Sequence, residues 1–143
     1  MSEQGPPESL PWAPLAGALT RLYGLPSWSF REFGFWRLPG ADTIYVAVAG
    51  AVHPTTAEEL ENVGWPALTG ALPEGLPTPE LLRMVGADAA KNVVDVDDAG
   101  AAAFGRGDAL SIPPESTAEV LVVRRGRHAL GGVSRETGRR WAP

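Results

Sequence analysis

"AEVLVVRRGRHALGGV", residues 118–133, is the stretch whose reading decides the fold. Its first half is an apolar run that ends in two arginines. Its second half resumes apolar residues after Gly126. The pattern predicts a strong strand over 118–124, a turn at Gly126 and a hairpin partner over 127–133. Upstream, "KNVVDV" (91–96) reads as a strand and "DALSI" (108–112) as a weaker one. Between them, "DDAGAAAFGRG" (97–107) reads as a short helix, capped by Asp97 or Asp98 and ended by Gly105 or Gly107. "TPELLRMVG" (78–86) carries a full set of helix signals. Thr78 caps, Pro79 opens, Leu81, Leu82, Met84 and Val85 make the buried stripe, and Gly86 ends it. The final six residues read as either a last edge strand or a free end.

The other half has the same short-element texture. "DTIYVAVAG" (42–50) alternates, with Ile44, Val46 and Val48 on one side and Tyr45 and Ala47 on the other, which predicts a strand. "PLAGALTRLYGLP" (14–26) predicts a helix stopped by Gly24. In "SWSFREFGFWRL" (27–38) Ser27 is placed to cap a short helical turn, with a strand beginning near Phe35. Thr55 and Thr56 stand three residues before Glu58 and Glu59, the spacing of a capping box, so a short helix is expected there. "NVGWPALTG" (62–70) reads as an edge strand, because Pro66 cannot donate to a central ladder. Residues 1–13 read as a loose, flexible tail. Short helices interrupting strands, rather than long helices alternating with them, predict an α+β fold with a small closed or partly open barrel.

Composition bounds the chemistry. The 143 residues suit one domain with a small N-terminal annex. The chain has no cysteine, which removes disulfides, thiolate metal sites and cysteine nucleophiles together. The opening "MSEQGPPESLPWAP" has neither a basic start nor an apolar core, so no signal peptide is expected. No apolar run approaches the roughly 20 residues that span a bilayer. A cytoplasmic protein without membrane contact is the expectation.

A catalytic reading finds little to stand on. The two histidines, His53 and His128, lack a second ligand at useful spacing, and turn or surface positions account for them. "DVDD" (95–98) lacks the glycine and later glutamate of a calcium loop, and helix capping explains it better. "GRGD" (105–108) has neither the lysine of a phosphate loop nor the three-glycine spacing of a dinucleotide fingerprint. No nucleophile elbow or paired-carboxylate motif stands out, so neither enzyme activity nor a metal or cofactor is expected. The aromatics Trp28, Phe30, Phe33, Phe35 and Trp36 read first as core, with Trp28, Phe33 and Trp36 joining an N-terminal layer to the rest. Stacking platforms for unpaired bases are the competing reading.

Charge is segregated along the chain. The formal net charge is -5, yet residues 120–143 hold six Arg against one Glu, while residues 1–119 hold six Lys or Arg against sixteen acids. Arg124, Arg125 and Arg127 fall at the strand end and turn, and Arg135, Arg139 and Arg140 on the next segments. Paired about Gly126, these residues are expected to gather on one rim with His128 and Trp141. Arginine presents a planar fork to phosphate and stacks on bases, so this rim suits RNA.

The order of elements in "LLRMVGADAAKNVVDVDDAGAAAFGRGDALSI…AEVLVVRRGRHALGGV" (81–133) resembles the PUA-like RNA-binding domain. The likeness is greatest to the version at the C-terminus of RsmF-type ribosomal-RNA cytosine methyltransferases and to its short stand-alone relatives. The PUA-like part is expected over 76–143, and residues 14–75 are similar to the small pre-domain that often precedes it. The resemblance implies a pseudo-barrel that docks structured RNA, ribosomal or transfer, through a helix, a glycine-containing loop and neighbouring strand ends. Carried over by position, the contacts are Lys91 and Asn92 at the strand entry, Arg106 in the "GRG" loop, and Arg124, Arg125 and Arg127 at the hairpin. With the rim residues His128, Arg139 and Arg140 these make the expected RNA-binding set. Methyltransferase activity does not carry over, because those enzymes use a catalytic cysteine that this chain lacks.

Two functions follow. One is a non-enzymatic RNA-binding module linked to RNA modification or ribosome biogenesis, with a modification enzyme or ribosomal protein as a further partner. The other is a protein-interaction module of the same fold that does not bind RNA. A continuous basic groove between the "GRG" loop and the hairpin favours the first; arginines scattered or paired with the many acids favour the second.

Overall fold

The structure, a computed structural model, describes residues 5–48, 54–69 and 76–142. The elements run β1 (Glu8–Leu10), α1 (Trp12–Tyr23), β2 (Phe33–Arg37), β3 (Thr43–Val48), α2 (Ala57–Val63), β4 (Gly64–Thr69), β5 (Leu76–Pro77), α3 (Pro79–Val85), a 3-10 turn (Gly86–Asp88), β6 (Val93–Asp95), α4 (Asp98–Arg106), β7 (Val120–Arg125) and β8 (His128–Ser134). The class is α+β. The first five strands make one antiparallel sheet in sequence order. A second sheet has the order β6-β7-β8, with β6 parallel to β7 and β8 antiparallel to it.

The helices take their places from capping and stripe chemistry. The Thr78 hydroxyl accepts from Leu81 N–H and donates to Pro66 O, so one side chain starts α3 and ties it to β4. Asp97 accepts from Gly100 N–H to start α4, and Gly107 ends it at φ 83°. At α2 the Thr56 hydroxyl accepts from Glu59 N–H while the Glu59 carboxylate accepts from Thr55, a reciprocal cap.

Packing then stacks layers. The largest core cluster takes Leu15, Leu19 and Tyr23 from α1, Phe35, Ile44, Val46 and Leu68 from the first sheet, Leu81 and Leu82 from α3, and Val120 and Val122 from β7. Residues before and after position 75 thus share one core. The outer face of the second sheet is covered by α4, with Phe104 against Leu121, Val123 and Val133. The outer face of the first sheet is covered by α2, with Leu60 against Trp36, Leu38 and Ala47. Strand β7 is therefore buried on both faces, which is why its sequence is continuously apolar rather than alternating. Tyr23 pins the layers together, its hydroxyl donating to Val120 O at 2.7 Å. Burial pushes the Tyr23 phenol well above its ordinary range.

Several expectations are corrected. The two sheets do not close into a barrel among the described residues. Residues 8–10, read as part of a loose tail, pair with Trp36 and its neighbours, and α1 begins at Trp12. The stretch 108–112 is not a strand; Leu110 and Ile112 pack under the second sheet, and Leu110 N–H donates to Gly138 O. Strand β4 is not an outer strand, but β5 is two residues long and pairs only with Leu68 and Thr69. Pro66 thus sits beyond the short neighbour, where no ladder donor is required. Residues 27–32 form successive turns rather than a helix. The last segment is not free: Arg140 bridges Val133, and Trp141 donates to Gly132 O and Pro77 O.

Candidate functional site

The hairpin forms as the sequence predicts, with Arg125 opposite His128 and Gly126 at φ 59° in the first position of a two-residue turn. Its arginines do not make one rim. Arg124 is turned inward, its side chain 19% exposed. The guanidinium meets the Asp95 carboxylate at 2.9 Å and donates from Nη1 to Ala89 O at 2.9 Å and Ala87 O at 3.1 Å, with Gly86 O at 3.4 Å. It closes the loop after α3 rather than facing solvent. Arg125 pairs with Asp98 at 3.0 Å. Arg127 and His128 are exposed, and neither side chain has a hydrogen-bond or ion-pair partner among the described residues.

Arg106, Arg139 and Arg140 form a different group. Arg106 pairs with Asp108 at 3.0 Å. Arg139 donates to Gly107 O at 3.3 Å, and the Arg140 guanidinium carbon lies 5.9 Å from the Phe104 ring centroid. All three complement the carbonyl end of α4 and its apolar anchor. Arg125 meets α4 at Asp98 and Arg139 meets its cap at Gly107, so the groups are separated by the helix, about 14 Å at 1.5 Å per residue. Arg106 and Arg125 are each paired with an acid, Arg106 at the C-terminal end of α4 and Arg125 at its N-terminal end.

Lys91 and Asn92 lie elsewhere again. Asn92, at φ 56°, is the one described non-glycine residue in the left-handed region. Its amide donates to Leu22 O at 2.7 Å, and its oxygen accepts from Thr117 N–H at 2.8 Å and Ala118 N–H at 3.1 Å. It is 8% exposed, so it organises the strand entry instead of offering itself to a ligand. The turn it sets leaves the Lys91 stem against Gly24, where a Cβ would stand 3.0 Å from Lys91 Cγ. Lys91 thereby shares a concavity of about 380 Å³ with Ala18, Arg21, Leu22 and Thr117. Arg21 folds back toward Gly17, whose missing side chain leaves room for the guanidinium. Neither Arg21 nor Lys91 has an ion pair or side-chain hydrogen bond among the described residues.

The lining of this concavity holds two cations and no acid. Three others differ. One sets Arg31 beside Glu32, a second sets Arg135 between Glu119 and Glu136, and a third carries Asp95 and Asp97. Arg21 was not a candidate from sequence, because it sits on α1, seventy residues from Lys91. The Asn92–Leu22 hydrogen bond that joins the two segments has no local signature.

The aromatic block also divides. Phe30 and Phe35 are buried with their rings 5.8 Å apart, and Trp36 is buried under α2. Trp28, expected in the core, is 53% exposed, and Trp12 and Trp65 are 41% and 46% exposed. His53 lies outside the described residues. Among the described residues no group of three or more His, Asp or Glu side chains could hold a metal, and no helix is long and apolar enough to cross a membrane. No protein-family model matches the chain, and no curated protein matches it significantly.

Proposed function

We propose that this protein is a non-enzymatic RNA-binding module of PUA-like fold, contacting phosphates of structured ribosomal or transfer RNA through Arg21 and Lys91. The observation that carries the proposal is the acid-free lining of their shared concavity in a chain of net charge -5. Two unpaired cations without a neighbouring acid attract an anion, and the guanidinium fork of Arg21 suits phosphate oxygens. The pseudo-barrel reading is supported by residues 138–141, which turn back antiparallel along β8, with Gly138 O accepting from Leu110 N–H and the Trp141 indole donating to Pro77 O. Arg124 then acts from behind, holding the loop that leads to Lys91, and Asn92 sets the turn. Arg127 and His128 remain available for secondary contacts.

The test is a titration of folded ribosomal RNA fragments and transfer RNA at low salt. Micromolar or tighter binding is expected, weakened at least tenfold in the double variant Arg21→Ala, Lys91→Ala, which removes both phosphate contacts. Absence of binding by the wild type would sink the proposal.

A second reading, a protein-interaction module, is favoured by a separate observation. The hairpin and "GRG" arginines are dispersed and largely paired with acids, whereas three tryptophans are half exposed. Exposed tryptophan is enriched at protein interfaces. A modification enzyme or ribosomal protein that co-purifies after nuclease treatment would favour this reading over the first.

A further inference from the structure

We infer that the slot walled by Trp28 and Phe33 receives one unpaired nucleobase, stacked on the Trp28 indole; this rests on the RNA reading above and adds a stacking site to its phosphate contacts. The slot is a concavity of about 450 Å³ lined by Trp28, Ser29, Arg31, Glu32 and Phe33. Trp28 is held by two tight turns, with Ser29 N–H donating to Pro26 O and Arg31 N–H to Trp28 O, both at 3.0 Å. The flanking Leu25 and Phe30 are buried, so the indole projects from an anchored backbone. Its side chain makes no hydrogen bond among the described residues. A large ring presented this way is a preorganised flat surface, and every base has a face to stack on it.

Charge says which flat group fits. Arg31 and Glu32 bring opposite charges, so the slot has no net charge from its lining. The Arg21–Lys91 concavity brings two positive charges. The two sites are seven residues apart along the chain, past the reversal at Gly24, so their backbones lie at most about 25 Å apart. A neutral aromatic slot within about 25 Å of a cationic pocket matches a single nucleic-acid strand, whose flat bases are neutral and whose linkages are anionic. Arg31 and Glu32 also set a donor and an acceptor at the slot, suited to the polar edge of a base.

The experiment compares wild type, Trp28→Ala and Trp28→Phe on a single-stranded RNA and on a perfectly paired RNA duplex of equal length. Trp28→Ala is expected to weaken single-strand binding about tenfold, within the range for one lost base–aromatic stack, and to leave duplex binding within about twofold. Trp28→Phe, which keeps a π face, is expected to retain most single-strand affinity. Trp28→Ala binding the single strand like wild type, while the Arg21→Ala, Lys91→Ala variant loses it, overturns the slot and leaves the RNA reading intact. Wild type binding neither RNA overturns both. Trp28→Ala that keeps RNA but loses a nuclease-resistant protein partner assigns the slot to a peptide and also overturns the inference.

Discussion

Arg124 stands at the end of an apolar strand, where sequence alone suggests a charge released to solvent. Its guanidinium instead joins Asp95 to the carbonyls of Gly86, Ala87 and Ala89. Removing a partner from such a charge-assisted set costs about 2 kcal/mol, so Arg124→Ala should lower stability by that order in urea unfolding. Arg124→Lys keeps the charge but loses the fork, and should fall between. Asn92 makes a parallel case. Asn92→Ala loses the side-chain hydrogen bonds to Leu22, Thr117 and Ala118 and puts alanine, which tolerates the left-handed region less well than asparagine, at φ 56°, at a combined cost of about 3 kcal/mol. Asn92→Gly relieves the backbone alone and should be measurably less destabilising than Asn92→Ala by the same unfolding assay. At Tyr23 the sign of the pH dependence is fixed by burial. The folded phenol holds its proton beyond the pH at which the unfolded one loses it, so the unfolded state binds fewer protons there. Stability is therefore level with respect to this group below about pH 10 and falls as pH rises further. Tyr23→Phe should flatten that alkaline decline while removing the hydrogen bond to Val120, and urea midpoints from pH 8 to 11 would read both.

At the scale of elements, the 3-10 turn after α3 lies tight against the second sheet. A Cβ at Gly86 would stand 2.6 Å from Val122 Cγ1 and 2.9 Å from Ala129 Cβ, atoms close to two strand backbones. Gly86→Ala should therefore cost about 1–3 kcal/mol through overpacking, visible as a lower midpoint in thermal or urea unfolding. The helices were readable because their signals are local. Thr78 and Asp97 cap where their spacing says, and Gly24 and Gly107 end their helices in the left-handed conformation. The β7–β8 hairpin was readable for the same reason. What was not local was not legible. Nothing in "ESL" (8–10) indicates that it will add to the edge of β2, because its pairing partner is Phe35 to Arg37, over twenty residues away. The stretch 108–112 has strand composition, yet its apolar residues are used to cover the outer face of β7 and β8. Trp28 and Trp36 belong to one aromatic block, and only the turn at 26–33 sends one out and the other in.

For the whole molecule, the segregation of charge along the chain is real in sequence and partly offset in space, where two of the six C-terminal arginines meet acids. Asp95, Asp98 and Asp108, all from the acidic part, meet Arg124, Arg125 and, within its own loop, Arg106. The sequence could show how many arginines there are but not which face a carboxylate. Lys91 was a candidate by resemblance, whereas Arg21 enters the proposal only because α1 ends against the strand entry. On the proposed reading, phosphate is met by Arg21 and Lys91 and not by a six-arginine rim. The salt dependence of RNA binding separates the two. Two neutralised phosphates predict a slope of log affinity against log salt of roughly -1.4 to -1.8, falling toward zero in the Arg21→Ala, Lys91→Ala variant and unchanged in Arg124→Lys. A slope near about -5, or one that the double variant leaves unchanged, would contradict it.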